Sequence, residues 1–198
     1  MSHWPPDFSA IGKHATVCTL SMDHKADLEE AAADGNLADL WYTTIPTPEG
    51  VGAEIERRLG LRATGSMLPF AIVDNATGKA VGMTTFMNID AGNKRVEIGS
   101  TWYRKSAQRG PLNTECKWLL LRHAFEDLGC IAVEFRTHFV NTQSRRAIER
   151  LGAKFDGVLR GHMVMANGTV RDTAVYSILP NEWPTVDAHL RHQMEKPR

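Results

Sequence analysis

The sequence lacks an excess of charge: 23 Lys and Arg balance 23 Asp and Glu over 198 residues. Bulk attraction to nucleic acid or to an anionic membrane is thereby excluded, and any charged binding surface has to be local. Long apolar runs are also missing. No segment approaches the ~20 apolar residues of a spanning helix, and residues 1–13 carry Pro5, Pro6 and Asp7 where a secretory signal would carry an apolar stretch. A cytoplasmic protein without membrane or nucleic-acid partners is expected. Cysteine is scarce. Cys18, Cys116 and Cys130 lie far apart without the spacing of metal ligands, so reduced thiols are expected, with neither a disulfide framework nor a metal. No His or Asp neighbours them in a nucleophile motif, which leaves packing as their default role. What remains, 42% hydrophobic and 23% charged residues, is the composition of one globular domain with a core of its own.

Periodicity divides the chain into two parts. In the first, residues 16–21 read as a short strand, and residues 24–34 as a helix opened by Asp23 and stopped by Gly35 and Asn36. A Pro- and Gly-rich connection over residues 43–52 leads to a second amphipathic helix, residues 53–61. Three strands follow as an antiparallel meander, residues 68–73, 80–88 and 95–103, separated by turn signals at 74–78 and 90–93. In the second part helices alternate with strands. Leu112, Cys116, Leu119, Leu120 and Leu128 mark a helix face that ends at Gly129. Val133, Phe135, Thr137 and Phe139 alternate with Glu134, Arg136 and His138 as a strand with one buried face. Asn141 caps a helix over residues 142–151, stopped by Gly152. Residues 153–165 and 170–179 form a hairpin around Ala166-Asn167-Gly168-Thr169, and residues 183–192 a terminal helix. The order predicts an α/β (α+β) domain on a mixed, mainly antiparallel sheet flanked by helices.

One local feature points to chemistry. The strand 95–103 runs through a polar, glycine-containing turn, Ser106 to Thr114, into a long helix. Such a junction aims unpaired backbone N–H groups and the positive end of the helix dipole outward, an arrangement suited to a pyrophosphate, although an ordinary loop and N-cap read the same way. A second segment is more specific: Asn141-Thr142-Gln143-Ser144, then Leu151-Gly152-Ala153, directly after a strand. On these residues the chain resembles the GNAT superfamily N-acetyltransferases, whose second half carries an Asn-x-x-Ser helix ending in a Leu/Ala-Gly-Phe/Ala turn. Glu97-Ile98-Gly99, Gln108-Arg109 and Thr114-Glu115 resemble the branch that holds the ribosomal-protein N-terminal (alanine/serine) acetyltransferases. The resemblance runs from about Ala15 to Trp183, so residues 15–185 are taken as the domain, 1–14 as an N-terminal extension and 186–198 as a C-terminal tail. One departure stands out. The family loop is written Gln/Arg-x-x-Gly-x-Gly/Ala, and here Pro111 and Asn113 stand in the glycine places; Pro111 offers no N–H, which is tolerated in the first turn of a helix.

What the resemblance implies is the acyl-CoA N-acyltransferase fold, with central strands that splay apart after Trp102-Tyr103-Arg104 and near His138. Acetyl-CoA would be the cosubstrate, its pantetheine in the gap and its phosphates on Gln108, Arg109, Gly110, Pro111, Leu112, Asn113 and Thr114. Asn141 would bind the pantetheine arm as well as cap its helix, and Ser144 and Arg146 would lie beside it; Arg145 and Arg146 also read as a solvated helix face. Glu97 is the candidate general base, against the reading of an exposed strand-end carboxylate. Ser144 is the candidate acid for the departing thiolate, with Tyr176 second, although a core tyrosine with a satisfied hydroxyl is the simpler reading of the latter. Trp41 and Tyr42 are candidates for the acceptor wall, His138 and His162 for surface positions or supporting places behind the cleft lining. The implied activity is direct acetyl transfer to a primary amine, foremost an N-terminal amine of a protein or peptide. A small-molecule amine such as an antibiotic or polyamine stays open as acceptor, with Glu29, Glu30, Glu54 and Glu56 unassigned, and so does a non-catalytic acyl-CoA-binding module. Sheet edges make a homodimer conceivable.

Overall fold

The computed structural model describes residues 4–35 and 37–196. Eight strands form one sheet: β1 (Ala10–Ile11), β2 (Ala15–Thr19), β3 (Met67–Asp74), β4 (Lys79–Asp90), β5 (Arg95–Tyr103), β6 (Ala132–His138), β7 (Lys154–Val164) and β8 (Val170–Ile178), in the order β1-β2-β3-β4-β5-β6-β8-β7. Every neighbouring pair is antiparallel except β5 and β6. That exception follows from the chain between them, where α3 (Leu112–Arg122) carries the chain back across one face so that β6 starts beside the start of β5. The sheet's period-2 alternation sends its apolar side chains to two cores. On one face α1 (Lys25–Ala33) and α2 (Val51–Ala63) cover Ala71, Ala80, Met83 and Trp102. On the other, α3, α4 (Thr142–Glu149) and α5 (Trp183–Glu195) cover Phe70, Phe86, Ile98, Phe135 and Tyr176.

Several boundaries differ from the sequence expectation for physical reasons. The first helix opens at Lys25 behind a 3-10 turn, Met22–His24, where the Ser21 N–H donates to His24 Nδ1 at 3.1 Å; Asp23 accepts from the Ser21 hydroxyl and does not cap the helix. Gly35, at φ +101°, turns the chain out of α1, while Asn36 lies outside the described residues. Thr47 caps a turn over Pro48–Gly50, so α2 starts at Val51, two residues earlier than its apolar spacing indicates. After α3 the helix widens into a π-turn, His123–Asp127, as His123 Nδ1 bonds Asp127 at 2.7 Å and the ring stacks on Phe8. β6 ends at His138, leaving Phe139 half in solvent.

The described parts of the extension and the tail pack against residues 15–185. β1 pairs with β2, and the Glu115 carboxylate on α3 accepts the backbone N–H groups of Lys13, His14 and Ala15 at 2.8, 2.5 and 2.7 Å. At the other end α5 runs to Glu195 and buries Val186 and Leu190 in the core. No described helix is long and apolar enough to cross a membrane.

Candidate active site

The parallel β5–β6 ladder is short. Among the described residues only Arg95, Val96 and Glu97 face Ala132, Val133 and Glu134; beyond them β5 pairs there with β4 alone and β6 with β8 alone. The sheet therefore forks after Glu97. A bulge helps to open it: the β4–β5 register slips between Met83/Thr85, and Ser100 takes φ +47°. Buried cations bolt this bulge from both faces. Arg58, from α2, donates to the Ser100 carbonyl at 3.0 Å and to Glu54 at 2.7 Å. Lys117, from α3, donates to the hydroxyls of Thr101 and Thr84 at 2.7 and 3.1 Å, and burial pulls its pKa down to about 8.

Glu97 sits at the crotch of the fork, 4% exposed, in the middle of the sheet and not at an exposed strand end. Asn88 donates to its Oε2 at 2.6 Å and the Arg136 guanidinium lies 3.5 Å away. Burial pushes the carboxyl up from its ordinary pKa, opposed by Asn88 and Arg136. Gly99 leaves room for it, since a Cβ there would stand 2.8 Å from Glu97 Oε1. On the same face Glu134 pairs with Arg95 and, at 2.8 Å, with Arg136. His138, two residues along from Arg136, is buried beneath Trp41 and Tyr42, whose rings lie 5.4 and 6.5 Å from its own. The candidate acceptor wall and the candidate base thus share one face of the fork.

The cofactor candidates occupy its arms and rim. Trp102 and Tyr103 end the β5 arm, and Gln108 Nε2 donates to the Tyr103 carbonyl at 3.0 Å, folding the loop back on the strand. Arg109 takes φ +63°, and Pro111 opens α3 without a side-chain cap. The N–H groups of Gly110, Leu112, Asn113 and Thr114 meet no acceptor among the described residues. Six buried side-chain polar atoms lack a partner there, and three of them, Trp102 Nε1, Asn113 Oδ1 and His138 Nε2, belong to the arms or the loop; a fourth, Tyr103 Oη, lies against the Cys116 thiol in the α3-side core. Buried polar groups are ordinarily satisfied, so this concentration fits a polar ligand. Across the gap Asn141 accepts the Ser144 N–H at 3.0 Å as helix cap, its own N–H donating to the His138 carbonyl. Ser144 is half-buried in the first turn of α4 and Arg146 is exposed beside it.

Other candidates serve the scaffold. Arg104 pairs with Asp34 at 3.0 Å and Glu30 at 3.2 Å, and Asp34 also accepts the Ser106 N–H and hydroxyl, which ties the loop to α1 and holds Asp34 at a pKa of about 2. Tyr176 lies in the core on the α3 side, its hydroxyl donating to Glu149 and accepting from Arg145, both at 2.9 Å, which makes it a satisfied core tyrosine. Arg145 also lies over the Phe139 ring, leaving Arg146 as the outward member of the pair. Thr114 accepts from Arg150 at 3.1 Å. His162 bonds Thr173 at 3.0 Å. Glu30 and Glu54 are spent on Lys79, Arg104, Arg57 and Arg58, so they build no acidic acceptor pocket.

Sequence reasoning missed Asn88, Arg136, Arg171 and Lys117. The alternation of Glu134, Arg136 and His138 was visible, but a polar strand face reads as solvent unless the fork is known; Lys117, inside an otherwise buried stretch of α3, was the one legible signal.

Residues 19–154 match the acetyltransferase (GNAT) domain family. The chain is 31% identical over 106 residues to the Bacillus subtilis (strain 168) protein named "Putative ribosomal N-acetyltransferase YdaF", covering 54% of this chain and 57% of that protein, so it spans little more than half of that relative. It is 28% identical over 123 residues, 62% of this chain and 68% of the other, to a Bacillus licheniformis protein named "Uncharacterized N-acetyltransferase p20". Among solved structures, a GCN5-related N-acetyltransferase from Brucella melitensis superposes with a TM-score of 0.87 at 32% identity, over 96% of this chain and 86% of that one. With its forked sheet, its open helix terminus beside the fork and these relatives, the chain belongs to the GNAT acetyltransferase family.

Proposed function

We propose that the fork binds acetyl-CoA and passes its acetyl group directly to a primary amine, and that the acceptor is the N-terminal amine of a protein or peptide. The observation that carries this reading is the gathering of unpartnered polar groups on the arms and loop of the fork, with Glu97 buried where the strands part. The amides of Gly110, Leu112, Asn113 and Thr114 would hold the pyrophosphate, so the substitution of Pro111 and Asn113 for the family's glycines still leaves a donor set. Asn141, its Oδ1 used by Ser144, keeps its Nδ2 for the pantetheine arm. Acetyl-CoA supplies the activated thioester. Glu97 accepts the amine's proton, which its raised pKa suits, and the Ser144 hydroxyl stands on the α4 side as proton donor to the thiolate. An α-amine, with an unperturbed pKa of roughly 7.7–8.0 against about 10.4 for lysine, demands little of such a base. The relative named a putative ribosomal N-acetyltransferase supports a protein acceptor, and the engagement of Glu30 and Glu54 with basic side chains speaks against a polycation.

Calorimetric titration with acetyl-CoA, followed by thiol release with peptides and small amines, tests the reading. Saturable binding that weakens in Asn141→Ala, and turnover with peptides, are expected. Binding without turnover on any amine would leave a non-catalytic module, and no binding would remove the cofactor site.

A further inference from the structure

The acceptor face of the fork carries one cation too many. Three guanidiniums, Arg95, Arg136 and Arg171, stand with two carboxylates, Glu97 and Glu134, while Asp172, whose charge also reaches His138, accepts the Gly161 N–H and has Arg160 at 3.9 Å as its own counter-ion. Glu134 pairs with Arg95 and Arg136, and Arg136 also reaches Glu97. Arg171, half-buried on β8, has no carboxylate within ion-pair distance among the described residues; its Nε donates to Thr173 Oγ1 at 2.9 Å. Thr173 is the cross-strand partner of His138, so the two residues share a face, and Arg171, two residues from Thr173, shares it with them. Arg171 and Glu97 feel each other's charge.

His138 adds a second open group. Its Nδ1 accepts the Val140 N–H at 3.2 Å, which makes the ring neutral with the proton on Nε2. That Nε2–H is buried and has no partner among the described residues, and the residue is 6% exposed under Trp41 and Tyr42. Among the described residues, a buried donor without an acceptor and a half-buried cation that Glu97 reaches only at a distance, on one face and beside the candidate base, call for the same complement.

We propose that the acceptor carries a carboxylate close to the amine that is acetylated, and that Arg171 and His138 hold this carboxylate while Trp41 and Tyr42 close over it. The inference rests on the acetyl-transfer reading of the fork and names its acceptor class: an amine with a nearby anion, as in a peptide whose second residue is Asp or Glu, or a free amino acid.

Two matched acceptor pairs test it by thiol release: the peptide amides Ala-Glu-Phe and Ala-Gln-Phe, and alanine against alaninamide. The acidic member of at least one pair is expected to react with kcat/KM about tenfold or more above its neutral isostere, mostly through KM, as a charge-assisted contact gives. In Arg171→Gln the ratio should fall to near one, and in Arg171→Lys, which keeps the charge, part of it should persist; melting curves confirm that both variants fold. A preference in the peptide pair identifies a protein N-terminus, one in the alanine pair alone a small molecule. The latter would defeat the N-terminal reading and leave the anion site standing. Neutral isosteres that react as well as acidic ones, a preference unchanged in Arg171→Gln, or no turnover of either pair would overturn the inference.

Discussion

Glu97 and Glu115 are both 4% exposed, yet they live in opposite surroundings. Glu115, at the start of α3, is saturated by three backbone N–H groups of residues 13–15 and fastens the N-terminal hairpin to the domain. Glu97, at the fork, receives one amide donor, Asn88, and a looser guanidinium, Arg136, and its charged form is disfavoured by burial. Burial alone therefore does not single out the candidate base. The difference lies in how fully the protein answers the charge: complete satisfaction builds structure, and partial satisfaction leaves a group able to take a proton.

Exchanging the readouts of the two residues sharpens the contrast. The largest effect belongs to Glu97→Gln, which should lower kcat/KM for acetyl transfer by about 10²–10⁴-fold while acetyl-CoA affinity by calorimetry stays near wild type. Next is Glu115→Ala. It strands three backbone donors at a cost of about 3 kcal/mol in total and should lower Tm by about 10 °C in calorimetric melting, with kcat of the folded protein close to wild type. A Glu115→Ala protein that melts normally but loses turnover would break the comparison.

The smallest effect is a pH dependence of stability. Because the folded-state pKa of Glu97 lies above its unfolded value, the native state holds the proton more tightly. Its contribution is fully present below the unfolded pKa and is lost as pH rises through the folded one. Glu97→Gln should therefore melt at or above the wild-type temperature at neutral pH, the two converging in acid. Lys117 gives the opposite trend. Its pKa falls from 10.5 to about 8 on folding, so wild-type stability rises with pH between these values. The Tm of Lys117→Met relative to wild type should therefore fall between neutral pH and pH 10, in melts over that range, as the wild type gains what deprotonation of its buried amine supplies.

Much of the fold could be read from periodicity, since the alternating strands and the Asn141-capped helix are local patterns. The terminal segments could not, because what orders residues 10–15 is a carboxylate about 100 residues away in the chain. Glu97, Ser144, Asn141 and the loop after β5 become candidates through the family motif, and Trp41 and Tyr42 through their place between the first helices. The contacts around them do not follow from either. Asn88 reaches Glu97 through a strand register, and His138 meets Trp41 and Tyr42 only once β6 is laid beside the α1–α2 connection. Tyr176 shows the converse: a strand position compatible with catalysis, taken up by Glu149 and Arg145 from a helix the strand pattern does not reveal.

Whether Glu97 at the fork takes the acceptor's proton is decided by the acid limb of the pH–kcat/KM profile for wild type and Glu97→Gln with one peptide amine. Two groups, the amine and Glu97, must lose protons in the wild type, so its logarithmic slope should steepen toward two in acid, whereas the variant, slower throughout, should keep a slope of one. Equal slopes, with rates within threefold of each other, would contradict it.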